Sequence, residues 1–228
     1  MNEDQQALAN FPGTARLFPL PNLVLFPHVM QPLHIFEPRY RQMTADALAG
    51  DRLIALGLLR PGWEADYDGR PAVHPVACLG RVVAEQLMPD GRYNLLLRGL
   101  SRLRLGDELP TGQPFRTARA ELLADGPPPP LAEAKRLRGE LAGRVLPRFA
   151  TAGPAREQLG ELFAGELPLG ALCDILNFAL PLPVEQKQQQ LEETDVARRA
   201  ARLIAWLDTL PPAAAAGARK FPPDFSSN

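Results

Sequence analysis

The densest run of chemically capable side chains is Pro32-Leu33-His34-Ile35-Phe36-Glu37-Pro38-Arg39-Tyr40-Arg41. A carboxylate, two guanidiniums and two aromatic rings so close together offer ion pairing, hydrogen bonding and apolar contact, which is the chemistry of recognition. Folding accounts for part of the run. Glu37 suits the cap side of a helix, Pro38 its first turn, and Tyr40 a packed position. Folding explains Arg39 and Arg41 least. Glu37, Arg41, Tyr40 and Arg39 together form the candidate binding set, displayed on the exposed side of that helix.

Bond-making machinery is not encoded by any recognisable motif. There is no GxxxxGKS/T phosphate loop, GxSxG elbow or HExxH pair. His74 and Cys78 are four positions apart, with Pro75 between them and no further thiol or imidazole close by, which is too few ligands for a metal. Cys173 lies in Leu172-Cys173-Asp174-Ile175-Leu176, a setting for a small buried side chain. A hydrolase using Cys173 or a histidine is the enzymatic alternative. No catalytic residue, metal ligand or cofactor is assigned.

The elements that must position the candidate residues are marked by proline, 25 of 228 residues. Before residue 124, short apolar runs at 17–20, 32–36, 53–59, 79–87 and 115–123 read as strands. Asp90-Gly91 between apolar runs signals a tight hairpin. Over residues 101–105 Leu and Arg alternate, with Leu inward and Arg outward. One helix interrupts the strands, with Tyr40, Met43, Ala47 and Leu48 on one face and Gly50 at its end. The pattern predicts a small, mostly antiparallel barrel over 14–124. Gly126 to Pro130 reads as a stiff linker within 125–130. Residues 131–210 change to a helical period: Leu137, Leu141, Val145 and Phe149 form one stripe, and Ala200, Leu203, Ile204 and Leu207 another, the latter in a helix that Thr194 can cap. The reading adds a flexible lead-in over 1–13 and a flexible tail over 211–228.

Charge narrows the partners. The net charge is −1. Residues 14–124 carry 13 basic and 11 acidic side chains, and residues 131–210 carry 10 and 11, so neither half has the positive excess of a nucleic-acid module. Residues 17–36 lack formal charge, but Pro19, Pro21, Pro27 and Pro32 break them into short strands, so no membrane span is expected. Two isolated cysteines and the absence of a secretory h-region suit the cytoplasm.

Three segments carry a resemblance. Leu17-Phe18-Pro19-Leu20-Pro21-Asn22-Leu23-Val24-Leu25-Phe26-Pro27, followed by Pro32 to Tyr40, resembles the opening of the Lon protease N-terminal, or LON substrate-binding, domain family. Pro89 to Gly99 is similar to that family's hairpin, and Leu182 to Val196 to its helical half. The resemblance covers about residues 14–210. It implies an α+β fold: a PUA-like β pseudobarrel with an inserted helix, followed by a C-terminal helical bundle. It also implies a stand-alone, non-catalytic binding module without the ATPase and peptidase domains of the protease, with Glu37 and Arg41 as the positions that carry over. The expected partners are unfolded or damaged polypeptides, with an ATP-dependent protease or chaperone downstream. PUA-like barrels elsewhere bind RNA, which supplies a second alternative by fold analogy alone.

Overall fold

The computed structural model describes residues 2–66, 69–148 and 154–210. The tail expected over 211–228, and Phe149 of the first helical stripe, lie outside the described residues. Six strands form the first half: β1 (Thr14–Leu20), β2 (Met30–Ile35), β3 (Leu53–Leu58), β4 (Val76–Leu87), β5 (Tyr93–Glu108) and β6 (Arg116–Leu123). Five of them close a barrel in the order β1-β3-β4-β5-β6, and β2 adds to the free side of the first half of β5. Every pairing is antiparallel except β1 with β3, where Leu17 faces Ala55 and Leu20 faces Leu58. A parallel pair needs a crossover. Here the crossover contains β2 and the inserted helix at Pro38–Ala49.

The first helix in the chain, α1 (Glu3–Ala9), corrects the expected lead-in. Asn2 and Gln5 form a reciprocal capping box, and the Asp4 carboxylate accepts hydrogen bonds from Arg81 Nε at 2.8 Å and Arg98 Nη1 at 3.0 Å. Ala7, Leu8 and Phe11 pack on the barrel core around Leu17, Leu53 and Leu79. The helix at Pro38–Ala49 is therefore α2. Pro38 occupies its first position, where a missing N–H costs nothing, and Gly50 ends it.

Residues 93–98 and 101–105, separate runs in the sequence, belong to one strand, β5. Gly99 is what lets the β1–β2 loop cross it. Gly99 N–H donates to Val29 O at 2.9 Å, His28 N–H donates to Gly99 O at 2.9 Å, and the Phe26 carbonyl fills the space a side chain at 99 would need.

The second half contains α3 (Leu131–Val145), α4 (Pro154–Ala164), α5 (Leu169–Ala179), α6 (Val184–Glu192) and α7 (Val196–Thr209). Leu137 and Leu141 of α3, Leu172 and Leu176 of α5, and Leu203 and Leu207 of α7 share its core. Asp195 rather than Thr194 caps α7, accepting from Arg198 N–H at 3.0 Å. Among the described residues no helix is long and apolar enough to cross a membrane.

A buried charge cluster joins the halves. Arg102 of β5 donates to both Asp174 carboxylate oxygens of α5, at 2.6 and 3.1 Å, and to Leu191 O at 2.8 Å. Arg199 of α7 donates to both oxygens of Asp125, at 2.8 and 2.6 Å, and lies 3.4 Å from Asp174. Two cations face two anions, so formal charge balances inside. Burial pushes the Asp174 carboxyl up against the pull of Arg102 and Arg199. At Asp125 burial also pushes up, but the Arg199 hydrogen bond and the Arg102 charge outweigh it and hold the carboxyl low.

Candidate functional site

A groove of about 380 Å³ opens where β1 ends, β2 runs into α2, and the turn at Trp63–Asp66 comes across. Its apolar lining is Phe18, Leu20, Ile35, Phe36, Tyr40 and Trp63, with Asn22, His34 and Glu37 as polar edges. Local sequence explains the arrangement. Inward residues Leu33 and Ile35 fix the register of β2, so the chain emerges with Phe36 at the surface just before Pro38 starts the helix. Tyr40 then falls inward on the first turn of α2. Its ring meets Phe18 at a centroid distance of 4.5 Å, inclined by 51°. The His34 and Phe36 rings stack at 6.3 Å, and His34 Nδ1 lies 2.8 Å from Asn94 Oδ1.

The four candidate residues separate in space. Glu37 and Tyr40 line the groove. Arg39 reaches back across the helix start, donating to Glu37 Oε2 at 3.0 Å with its guanidinium 4.7 Å from the Tyr40 ring centre. Glu37 occupies the N-cap position, yet its side chain makes no cap hydrogen bond. Arg41 is not among the lining residues. Its guanidinium occupies the space beside Gly91, in the hairpin between β4 and β5.

The family model for the ATP-dependent protease La (LON) substrate-binding domain matches residues 14–209. The chain belongs to that family. Among similar proteins, the Lon protease of Desulfosudis oleivorans is 25% identical over 197 residues, covering 86% of this chain and 24% of that protein. The Lon protease of Anaeromyxobacter dehalogenans is 27% identical over 193 residues, covering 83% and 22%. This LON substrate-binding domain thus spans about a quarter of the length of the curated relatives it matches. Its fold is that of the N-terminal domain of Mycobacterium avium complex Lon protease, with TM-score 0.66, 17% identity, and 86% of this chain covering 98% of that one. The Lon N-terminal domain protein from Xanthomonas campestris gives TM-score 0.60 at 24% identity, covering 85% and 98%.

Other places in the LON domain offer less. A wider cleft of about 840 Å³ between α6 and α7 is lined by Gln186, Gln189, Gln190, Glu193 and Arg202, with Trp206 its one aromatic among the described residues, so it presents amides and charge. Cys173 is fully buried, and burial pushes its thiol up to about 12; Cys78 is buried and shifted upward for the same reason. Thiols held protonated are poor nucleophiles. His74 Nδ1 lies 3.4 Å from Glu192, and among the described residues no three His, Cys, Asp or Glu side chains gather to hold a metal. Sequence reasoning missed Phe18, Leu20, Phe36 and Trp63 as site residues. Trp63 carried a usable signal, since a large aromatic beside Gly62 in a polar turn has no strand or helix face to fill.

Proposed function

We propose that this domain is a non-catalytic module that captures exposed apolar segments of unfolded or damaged polypeptides in the groove between β1, β2 and α2. The observation that carries the reading is the concave aromatic and aliphatic lining, with the Phe36 side chain presented to solvent at its mouth. Client side chains enter between Phe36, Tyr40 and Trp63, while Glu37 and the Arg39 paired with it form the polar rim. The family's description as substrate-binding supports the same reading. The domain acts in the cytoplasm as an adaptor or chaperone-like factor, passing clients to an ATP-dependent protease or a chaperone; its two buried, unpaired cysteines suit a reducing compartment.

Burying about 300 Å² of apolar surface at about 25 cal/mol per Å² yields about 7.5 kcal/mol before association and ordering costs, which take back much of it. Micromolar affinity follows, and it suits a receptor that samples many chains and releases most. The test is fluorescence anisotropy of labelled casein with the purified protein. Raising salt from about 50 to about 200 mM is expected to leave the affinity within about twofold, because apolar capture involves no counterion release. A steep loss with salt, together with tighter binding of single-stranded RNA than of casein, overturns the reading. So does ATP or casein hydrolysis that is abolished by substituting one residue of this chain.

A further inference from the structure

The β4–β5 hairpin extends beyond the barrel. Strand β3 pairs with β4 only from Cys78 to Arg81. At Val82 the place of β3 is taken by Arg52, which exchanges hydrogen bonds with it: Val82 N–H donates to Arg52 O at 2.9 Å, and Arg52 Nε donates to Val82 O at 2.9 Å. The Arg52 guanidinium then pairs with Glu85. Past that point Ala84, Glu85, Gln86 and Leu87 are all exposed, and Leu87 is 62% accessible.

Backbone direction follows from the hairpin closure. Met88 N–H donates to Arg92 O at 2.8 Å, so Met88 faces β5. By alternation Gln86 and Ala84 also face β5, and Glu85 and Leu87 turn their N–H and C=O groups outward. The register shift between Val82 and Ala84 reconciles this with the outward-facing Val82. Among the described residues no backbone meets the outward groups of Glu85 or Leu87. The free edge of β2 differs. Pro32 gives it no N–H there, and Gln31 Nε2 already donates to Pro32 O at 2.6 Å. Residues 83–87 contain no proline and no lysine, two of the usual guards of an exposed edge; the bulge at Val82–Ala84 and the Arg52–Glu85 pair protect its inner end and leave Leu87 open.

We propose that the outer edge of β4 from Val83 to Leu87 is a second binding site, separate from the groove, that takes an extended segment of a partner polypeptide by strand addition. Alternating donors and acceptors at strand spacing are matched by another extended backbone. Leu87, standing beside the edge, selects an apolar side chain on the incoming strand. Arg52 sets the inner limit of the site, because its bonds to Val82 occupy the next outward position.

The test uses the full chain labelled with 15N and a soluble ten-residue peptide of alternating Thr and Val. Amide exchange at Glu85 and Leu87 is expected to slow on peptide addition. The same peptide N-methylated at every second residue is expected to bind about tenfold more weakly, since strand hydrogen bonds are lost. The Leu87→Pro variant, which removes an outward N–H and no bond to β5, is expected to weaken the unmodified peptide to a similar extent. Equal affinity for the two peptides with the unaltered protein, or unchanged exchange at Glu85 and Leu87 at millimolar peptide, overturns the proposal whether or not the variant folds. Slowing at these amides without peptide, growing with protein concentration, overturns it in favour of pairing with a second copy.

Discussion

Phe36 and Tyr40 bound the same groove but do different work. Tyr40 is 5% exposed, packed between Phe18 and the Arg39 guanidinium, so Tyr40→Ala is expected to cost about 3 kcal/mol of stability and to confound any binding measurement. Phe36 is 43% exposed, and its truncation to Ala is expected to change stability by less than about 0.5 kcal/mol. Casein affinity is expected to fall by about tenfold in the same variant, because a single aromatic anchor carries a large share of such contacts. Anisotropy beside a thermal melt separates the two effects; unchanged binding by folded Phe36→Ala would remove the groove from consideration. Glu37 and Arg41 show where the sequence pattern stops informing. A spacing of four puts two residues on one face only if both are helical. Glu37 is the N-cap, with φ −66° and ψ 136°, so the helical repeat does not reach it. Arg39 approaches Glu37 instead, and Arg41 goes to Gly91. Accordingly Arg41→Glu is expected to leave casein affinity within about twofold while shifting the Gly91 amide resonance.

Elements were legible in proportion to their length and to how far their pattern repeats. The long stripes of α3 and α7 declare themselves, whereas α1 has seven residues and one turn of evidence, the Asn2 to Gln5 capping box. Helices that short do not persist alone in water. What holds α1 is long-range: Asp4 bridging Arg81 and Arg98, and Leu8 and Phe11 on the barrel. Burial pushes the Asp4 carboxyl up, but hydrogen bonds from Arg98 and Arg81 outweigh it and hold the group below the ordinary carboxylate range. A depressed folded pKa gives stabilisation that is present above the unfolded value and is lost as pH falls through the folded one. Docking of α1 is therefore expected to be constant from pH 7 to about pH 5 and to weaken below about pH 4. Chemical shifts of Gln6 and Ala7 report it. Asp4→Asn should show at pH 7 the undocked shifts that the unaltered protein reaches only in acid; shifts that stay docked in that variant would remove the ion pairs as the cause.

At the scale of the molecule, the two halves meet through charge that no single segment reveals. The Leu and Arg alternation of residues 101–105 sorts the faces of β5 correctly: Leu103 is fully buried in the barrel, and Arg102 points out of it. Period two says which way a side chain points, but not whether something covers that face. Here α5, α6 and α7 cover it, and Arg102 is left 3% exposed, bonded to Asp174 and Leu191 O. The segment after β6 is held in the same way, with Asp125 on Arg199 and Gly126 N–H donating to Thr194 O at 2.9 Å. Removing one member of such a cluster leaves a buried charge without its partner, at a cost of about 3–5 kcal/mol. Arg102→Ala is expected to lose that much in urea unfolding, to separate the barrel and bundle transitions, and to expose residues 125–130 to proteolysis. Arg102→Met paired with Asp174→Leu removes both buried charges of the central pair while keeping apolar bulk, and is expected to recover most of the loss. If the double variant is as unstable as Arg102→Ala, what joins the halves is the hydrogen bond from Arg102 to Leu191 O together with its ion pair to Asp125, not compensation of charge within the central pair.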